Sequence, residues 1–213
     1  MKKTVVASML LMAALAMPDL SSAAPMRPGP YISGFVGVTI PADTDATSFD
    51  GSGPIQDRIE FDPGLNIGGT AGMDFGAARI EGEISYKGAD IDSITDFNGP
   101  HTGIKGGVEA LAFMANLFVD LHTQGPITPY FGGGIGFASL HIDDTYDFEN
   151  DFYIDDDDTV FAYQAGGGLE VALNRQMSLD LGYRYFRTSE ATFANTEFEF
   201  ESHNATVGLR LKY

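Results

Sequence analysis

The 213-residue chain carries 30 acidic against 12 basic residues, a formal charge of −18, 26 glycines, 12% aromatics and no cysteine or tryptophan. Lacking cysteine, it has no disulfide and no thiolate site. Acidity of this size repels nucleic acid and other anionic partners, and the Gly-rich, aromatic-rich composition suits short strands and turns better than a helical core.

Lys2 and Lys3, the apolar run Val5 to Met17 and the small residues Ser22-Ala23-Ala24 predict a secretory signal peptide over residues 1–24. Cleavage before Ala24 or Pro25 leaves one domain over 25–213 and moves the charge from −18 to −19 through loss of Lys2, Lys3 and Asp19. The leader's apolar run is too short to span a bilayer, and no later stretch reaches 18 uninterrupted apolar residues. Any crossing of a membrane must then use strands.

Eight strands are predicted beyond the leader. The first runs from Tyr31 to Ile40. The second, Leu65 to Phe75, puts Ile67, Ala71, Met73 and Phe75 on one face and Asn66, Thr70 and Asp74 on the other. The third, Ala78 to Lys87, alternates most sharply: Ile80, Ile84 and Tyr86 oppose Arg79, Glu81, Glu83, Ser85 and Lys87. The fourth, Val108 to Leu121, opposes Leu111, Phe113, Leu117 and Val119 to Asn116 and Asp120. The fifth, Thr128 to Leu140, carries Phe131, Ile135 and Phe137 against a file of Gly132, Gly134 and Gly136. The sixth, Thr159 to Ala172, sets Phe161, Tyr163, Leu169 and Val171 against Gln164 and Glu170. The seventh, Met177 to Arg187, sets Leu179, Leu181, Tyr183 and Tyr185 against Ser178, Asp180 and Arg184. The last, Asn204 to Tyr213, alternates Ala205, Val207, Leu209, Leu211 and Tyr213 with Asn204, Thr206, Gly208, Arg210 and Lys212.

The connections alternate in length. Segments 41–63, 88–107, 141–158 and 188–203 are long, polar and hold 22 of the 30 acidic residues; those after the second, fourth and sixth strands are a few residues each. A soluble sandwich has no reason for that rhythm. An all-β, eight-stranded antiparallel up-and-down transmembrane barrel, with short periplasmic turns and long extracellular loops, predicts it. Aromatic girdles are expected from Tyr31, Phe75, Phe131 and Tyr213 at one end and from Tyr86 and Phe161 at the other.

The terminal Thr206, Gly208, Leu211 and Tyr213 fit the polar-x-Gly-x-x-apolar-x-aromatic ending of outer-membrane barrels. "RIEGEISYK", "TPYFGGGIGFA" and "AGGGLEVALNRQMSLDLGYRYF" resemble strands of the outer-membrane-protein β-barrel family, the OmpA/OmpX and opacity-like group. The resemblance implies a bacterial outer-membrane location, eight antiparallel strands and a C-terminal signal read by the outer-membrane assembly machinery. It implies no shared activity.

With the apolar faces toward lipid, Arg79, Glu81, Glu83, Lys87, Glu170, Asp180, Arg184, Arg210 and Lys212 face inward. Both signs are present, as pairing of buried charge requires. They either plug the lumen or line a narrow solute path; an eight-stranded interior is about filled by side chains, which favours the plug. The glycine clusters 132–136 and 166–168 lack the helix, Lys and Ser or Thr of a phosphate loop and make room for large neighbours instead. In segment 141–158, Asp155, Asp156, Asp157 and Asp158 are weak divalent-ion candidates without EF-hand spacing. Phe148, Phe152 and Tyr153 there pack on the rim or form a partner contact. Glu201-Ser202-His203 gathers the residue types of a hydrolytic triad, but adjacent strand residues face opposite ways, so no enzyme and no cofactor is expected. The expected role is structural or at the surface, the second alternative to it being an adhesin or surface antigen that meets an extracellular partner through segments 41–63 and 141–158; the expected partners are outer-membrane lipid and lipopolysaccharide and the assembly machinery. The expected state is a monomer.

Overall fold

The computed structural model describes the backbone of residues 28–42, 44–49, 54–96, 99–102, 105–121, 125–146, 156–193 and 196–213, and the side chains of 28–42, 61–90, 106–121, 125–141, 158–191 and 199–213. The leader 1–24 lies outside the described residues, as do Phe148, Phe152, Tyr153 and Asp155. In chain order the strands are β1 (Gly29–Pro41), β2 (Thr44–Phe49), β3 (Pro54–Phe61), β4 (Gly64–Asp74), β5 (Ala78–Asp96), β6 (Gly99–Thr102), β7 (Lys105–Asp120), β8 (Ile127–Tyr146), β9 (Asp156–Ala172), β10 (Met177–Thr188), β11 (Ala191–Phe193), β12 (Thr196–Phe198) and β13 (Glu201–Lys212).

Eight of these close a ring. β5, β4, β1, β13, β10, β9, β8 and β7 pair antiparallel in that order, and β7 returns to β5, with Ala78 opposite Val119 and Asp90 opposite Gly107. Closure leaves the barrel no free edge, the only way a sheet satisfies its backbone hydrogen bonds inside hydrocarbon. The period-two pattern sorts the side chains. Ile80, Ile84, Phe113, Leu117, Ile135, Phe137, Leu209 and Leu211 are exposed on the outside, while Arg79, Glu81, Lys87, Asn116, Glu170 and Arg210 are buried within. A water-soluble domain has the opposite arrangement, and a barrel in lipid has this one.

The structure differs from the expected loops. β5 spans 19 residues and β8 spans 20, well beyond Lys87 and Leu140. Past the barrel, β5 pairs with β3 and β6, and the sheet continues through β3 to β2, β12 and β11. Segments 41–63, 88–107 and 188–203 therefore hold strand as well as loop. Polar side chains obscure these strands because, beyond the bilayer, neither face has to be apolar. At the opposite end the β4–β5 turn is tight: Gly76 sits at φ +96° and its N–H donates to Asp74 Oδ1 at 2.6 Å. Only glycine adopts that conformation cheaply.

Tyr31 corrects the expected girdle. It shares the parity of Ser33 and Thr39, is 2% exposed, and lies inside the barrel. A Cβ on Gly72 would fall 2.7 Å from the Tyr31 ring, so the neighbouring glycine makes the space. The file on β8 works alike: a Cβ on Gly132 would meet the Leu117 carbonyl at 2.1 Å and the Phe118 ring at 2.7 Å, and one on Gly134 would meet Asn116 Oδ1 at 2.0 Å. The outward-facing Gly34 has nothing within 4 Å of such an atom. Gly132→Val is thus expected to cost about 3 kcal/mol or to block refolding, and Gly34→Ala to stay within about 0.5 kcal/mol of the parent. Urea titration of barrels refolded into phospholipid vesicles measures both.

Candidate functional site

The lumen is layered along its axis. In the half nearest the short turns, the fully buried Arg79 guanidinium meets three carboxylates: Nε lies 3.0 Å from Glu81, and Nη1 lies 2.8 Å from Asp120 and 3.3 Å from Glu170. The same group stands 4.1 Å from the Tyr130 ring centroid and 5.2 Å from that of Phe118. Arg210 bridges further, pairing with Glu170, with Asp180 at 3.1 Å and with Glu81 at 3.6 Å, and it lies 4.7 Å from the Tyr31 centroid. Tyr31 donates to Glu81 at 2.6 Å, Tyr130 to Asp180 at 2.7 Å and Ser178 to Glu170 at 2.9 Å. Below them Lys212 pairs with Asp74 at 2.5 Å. Strands β1, β4, β5, β7, β8, β9, β10 and β13 all contribute, so the layer ties the wall together across its own interior.

Above it the chemistry changes. Glu83 accepts from Asn116 and from Gln164, each at 2.9 Å, and Gln164 also donates to Asn116 Oδ1 at 2.7 Å. Lys87 donates to Ser85 at 2.7 Å and stands 4.3 Å from the Phe186 centroid. Arg184 lies 4.5 Å from the Phe118 centroid. Among the described residues, neither Lys87 nor Arg184 has a carboxylate at ion-pair distance; they rest on aromatic faces, which attract cations by their quadrupole. Glu83, Lys87, Asn66, Gln164, Arg184 and Arg210 line a cavity of about 30 Å³. Toward the long connections the inner wall becomes apolar, with Met114, Leu140, Val160, Phe186 and Phe200 packed together and Phe61 against them.

Arg79, Glu81, Glu170, Asp180 and Arg210 thus meet in one ionic layer, whereas Glu83 bonds to two amides and Arg184 stacks on rings. Asp74, Asp120, Tyr31, Tyr130 and the Asn116–Gln164 pair join them. Their parity was readable in the sequence, but which residues meet across the lumen depends on strand stagger. In the terminal motif, Thr206 and Gly208 face inward, Gly208 beside Phe35, while Leu211 and Tyr213 are exposed outside at 40% and 77%. Asp156, Asp157 and Asp158 begin β9, opposite Ile142, His141 and Leu140. The described residues contain no cluster of three metal-ligating side chains. Ser202 is buried inside while His203 stands exposed outside, with Nδ1 2.7 Å from the Tyr183 hydroxyl. The wall therefore separates the serine from the histidine of the one triad-like run.

Residues 7–212 match the family described as "Outer membrane protein beta-barrel domain". The chain belongs to that family. It is 24% identical over 207 residues to the outer membrane protein PagN of Salmonella typhimurium, covering 87% of this chain and 85% of that protein. Among solved structures, OprG of Pseudomonas aeruginosa superposes with a TM-score of 0.64 at 13% identity, covering 90% of this chain and 99% of that one. Neisserial surface protein A gives 0.54 at 18% identity, covering 87% and 97%. These similarities place the protein in the bacterial outer membrane, and the two structures share its fold.

Because Arg79 is enclosed by three carboxylates, Arg79→Met leaves buried negative charge uncompensated and is expected to lower unfolding stability by about 3–5 kcal/mol. Adding Glu170→Gln and Asp120→Asn removes two of the three carboxylates and is expected to recover part of the loss. Urea unfolding in vesicles followed by tyrosine fluorescence compares the three proteins.

Proposed function

We propose that the protein is a structural, surface-exposed component of the outer membrane, monomeric and non-enzymatic, with a lumen closed by its own side chains. Export removes residues 1–24, and the β13 residues Thr206, Gly208, Leu211 and Tyr213 present the chain to the assembly machinery. The acidic segments 41–63 and 141–158 face the outside of the cell, where they meet lipopolysaccharide or a partner. The observation that carries the closed reading is the complete burial of Arg79 among Glu81, Asp120 and Glu170. A permeating ion would have to break these contacts in a low-dielectric interior, where each partner left unpaired costs several kcal/mol. The apolar packing of Phe186, Phe200 and Leu140 supplies a second barrier above.

One observation favours the alternative, a narrow solute pore: the cavity at mid-lumen is lined by Lys87 and Arg184, two cations without ion-pair partners among the described residues. Planar-bilayer recording separates the two. The refolded protein is expected to show no discrete conductance steps in 1 M KCl, while its heat-modifiable gel migration confirms that it is folded. Reproducible steps from folded protein would replace the closed reading with the pore.

A further inference from the structure

The outer face of β9, β10 and β13 carries a polar aromatic patch directly above the apolar band. From Tyr213 to His203, ten residues of tilted strand climb about 25 Å, the height of the lipid-facing band. Leu211, Leu209, Val207 and Ala205 fill that interval, and Leu179 and Leu181 fill it on β10. At its top the pairing sets Tyr163, Arg187 and Glu201 in one row and Ala165, Tyr185 and His203 in the next. Tyr183 comes next, between Gly167 and Ala205.

The rings are arranged as a shelf. Tyr183 is 48% exposed and Tyr163 39%. The Tyr183 and His203 rings stack at 6.1 Å with 22° between their planes, held by the hydroxyl-to-Nδ1 contact of 2.7 Å, and Tyr185 tilts against His203 at 5.6 Å. On β9 the residues opposite Tyr183 and Tyr185 are the small Gly167 and Ala165. Behind the rings, Arg187 pairs with Glu199 and lies 3.9 Å from Glu201.

We propose that this patch binds the sugar headgroup of an outer-leaflet glycolipid. Its place follows from continuity with the bilayer interface: the side chains point away from the lumen and begin where the hydrocarbon-facing leucines end. Aromatic residues favour that boundary because one end of the ring is apolar and the other wet. The headgroup class follows from the charges. Arg187 is shared by Glu199 and Glu201, so these three side chains together carry one net negative charge and disfavour a bare phosphate. A sugar matches it better: its C–H face covers the open tyrosine rings, and its hydroxyls donate to Glu199 and Glu201 and accept from Arg187. On the opposite wall Tyr86 is engaged to Glu109 at 2.7 Å.

The test is native mass spectrometry of the full mature barrel refolded in detergent, with three lipids offered at equal concentration. They are digalactosyldiacylglycerol (sugar, no phosphate), diphosphoryl lipid A (sugar and phosphate) and phosphatidylglycerol (phosphate, no sugar ring). Both glycolipids are expected to be retained about tenfold more than phosphatidylglycerol, a difference near 1.4 kcal/mol. The double variant Tyr183→Leu/Tyr185→Leu is expected to lose that preference, whereas Tyr86→Leu on the far side keeps it. Both substitutions face lipid, and heat-modifiable migration verifies folding of each. Equal retention of phosphatidylglycerol, retention of lipid A alone, occupation of the patch by a second copy of the chain, or a preference that survives in the double variant would each overturn the proposal.

Discussion

The ring closed by β5 and β7 is the constraint on which the rest of this structure depends. In hydrocarbon an unpaired backbone N–H or C=O costs several kcal/mol, so the sheet must return on itself. Once it has, the alternation of side chains allows only an apolar outside and an enclosed inside. Eight strands leave that inside too narrow for bulk water and wide enough for side chains. The buried charges are a consequence of this geometry. A chain that must keep its polar face off the lipid has nowhere else to put it, and Arg79, Arg210 and Lys212 then need the carboxylates that surround them.

That requirement also explains the chemical gradient along the lumen. Near the short turns, the strands bring Asp74, Asp120, Glu170 and Asp180 close to the three cations, and the interior is satisfied by ion pairs and by the Tyr31 and Tyr130 hydroxyls. Higher up, the inward positions of β7, β8 and β9 become Ala112, Ala138, Ala162 and Leu140, all fully buried. An apolar filling there needs no partners, so it tolerates the less regular polar strands that continue above it. Lys87 sits at the join of the two zones, with its ammonium on the Phe186 ring and a hydrogen bond to Ser85 on its own strand.

How much of this the sequence discloses depends on which physical rule wrote each part. Wherever lipid meets the wall, every second residue must be apolar, and strands such as Ala78 to Lys87 or Asn204 to Tyr213 are plain to read. Above the bilayer that rule lapses, and the outer portions of β5 and β8, with β2, β3, β11 and β12 among polar residues, leave no comparable mark. Tyr31 shows a second limit. Its parity with Ser33 and Thr39 places it inside, yet an aromatic at a strand end invites assignment to the girdle. Only the missing side chain at Gly72 shows that a ring fits within. The pairing of Arg79 with Glu170 and the ring contacts of Arg184 stayed hidden for another reason. They join strands that are not neighbours in the sheet, and stagger around a closed barrel decides which residues share a height.

The outer surface carries the same distinction between what lipid imposes and what it leaves free. Across the hydrocarbon band, Leu, Ile, Val and Phe exchange with little consequence, because acyl chains conform to any apolar relief. At the upper boundary, side chains meet headgroups of defined shape, and composition there can differ around the barrel. It does: Tyr86 and Glu109 satisfy each other on β5 and β7, while Tyr163, Tyr183, Tyr185 and His203 leave open ring faces beside a carboxylate pair on the opposite wall. A girdle serving only to anchor the barrel would gain nothing from packing its rings against one another, since anchoring depends on how many rings reach the interface rather than on their company. The contacts among Tyr183, His203 and Tyr185, together with the small residues Ala165 and Gly167 opposite them, are what a binding platform requires and a plain anchor does not.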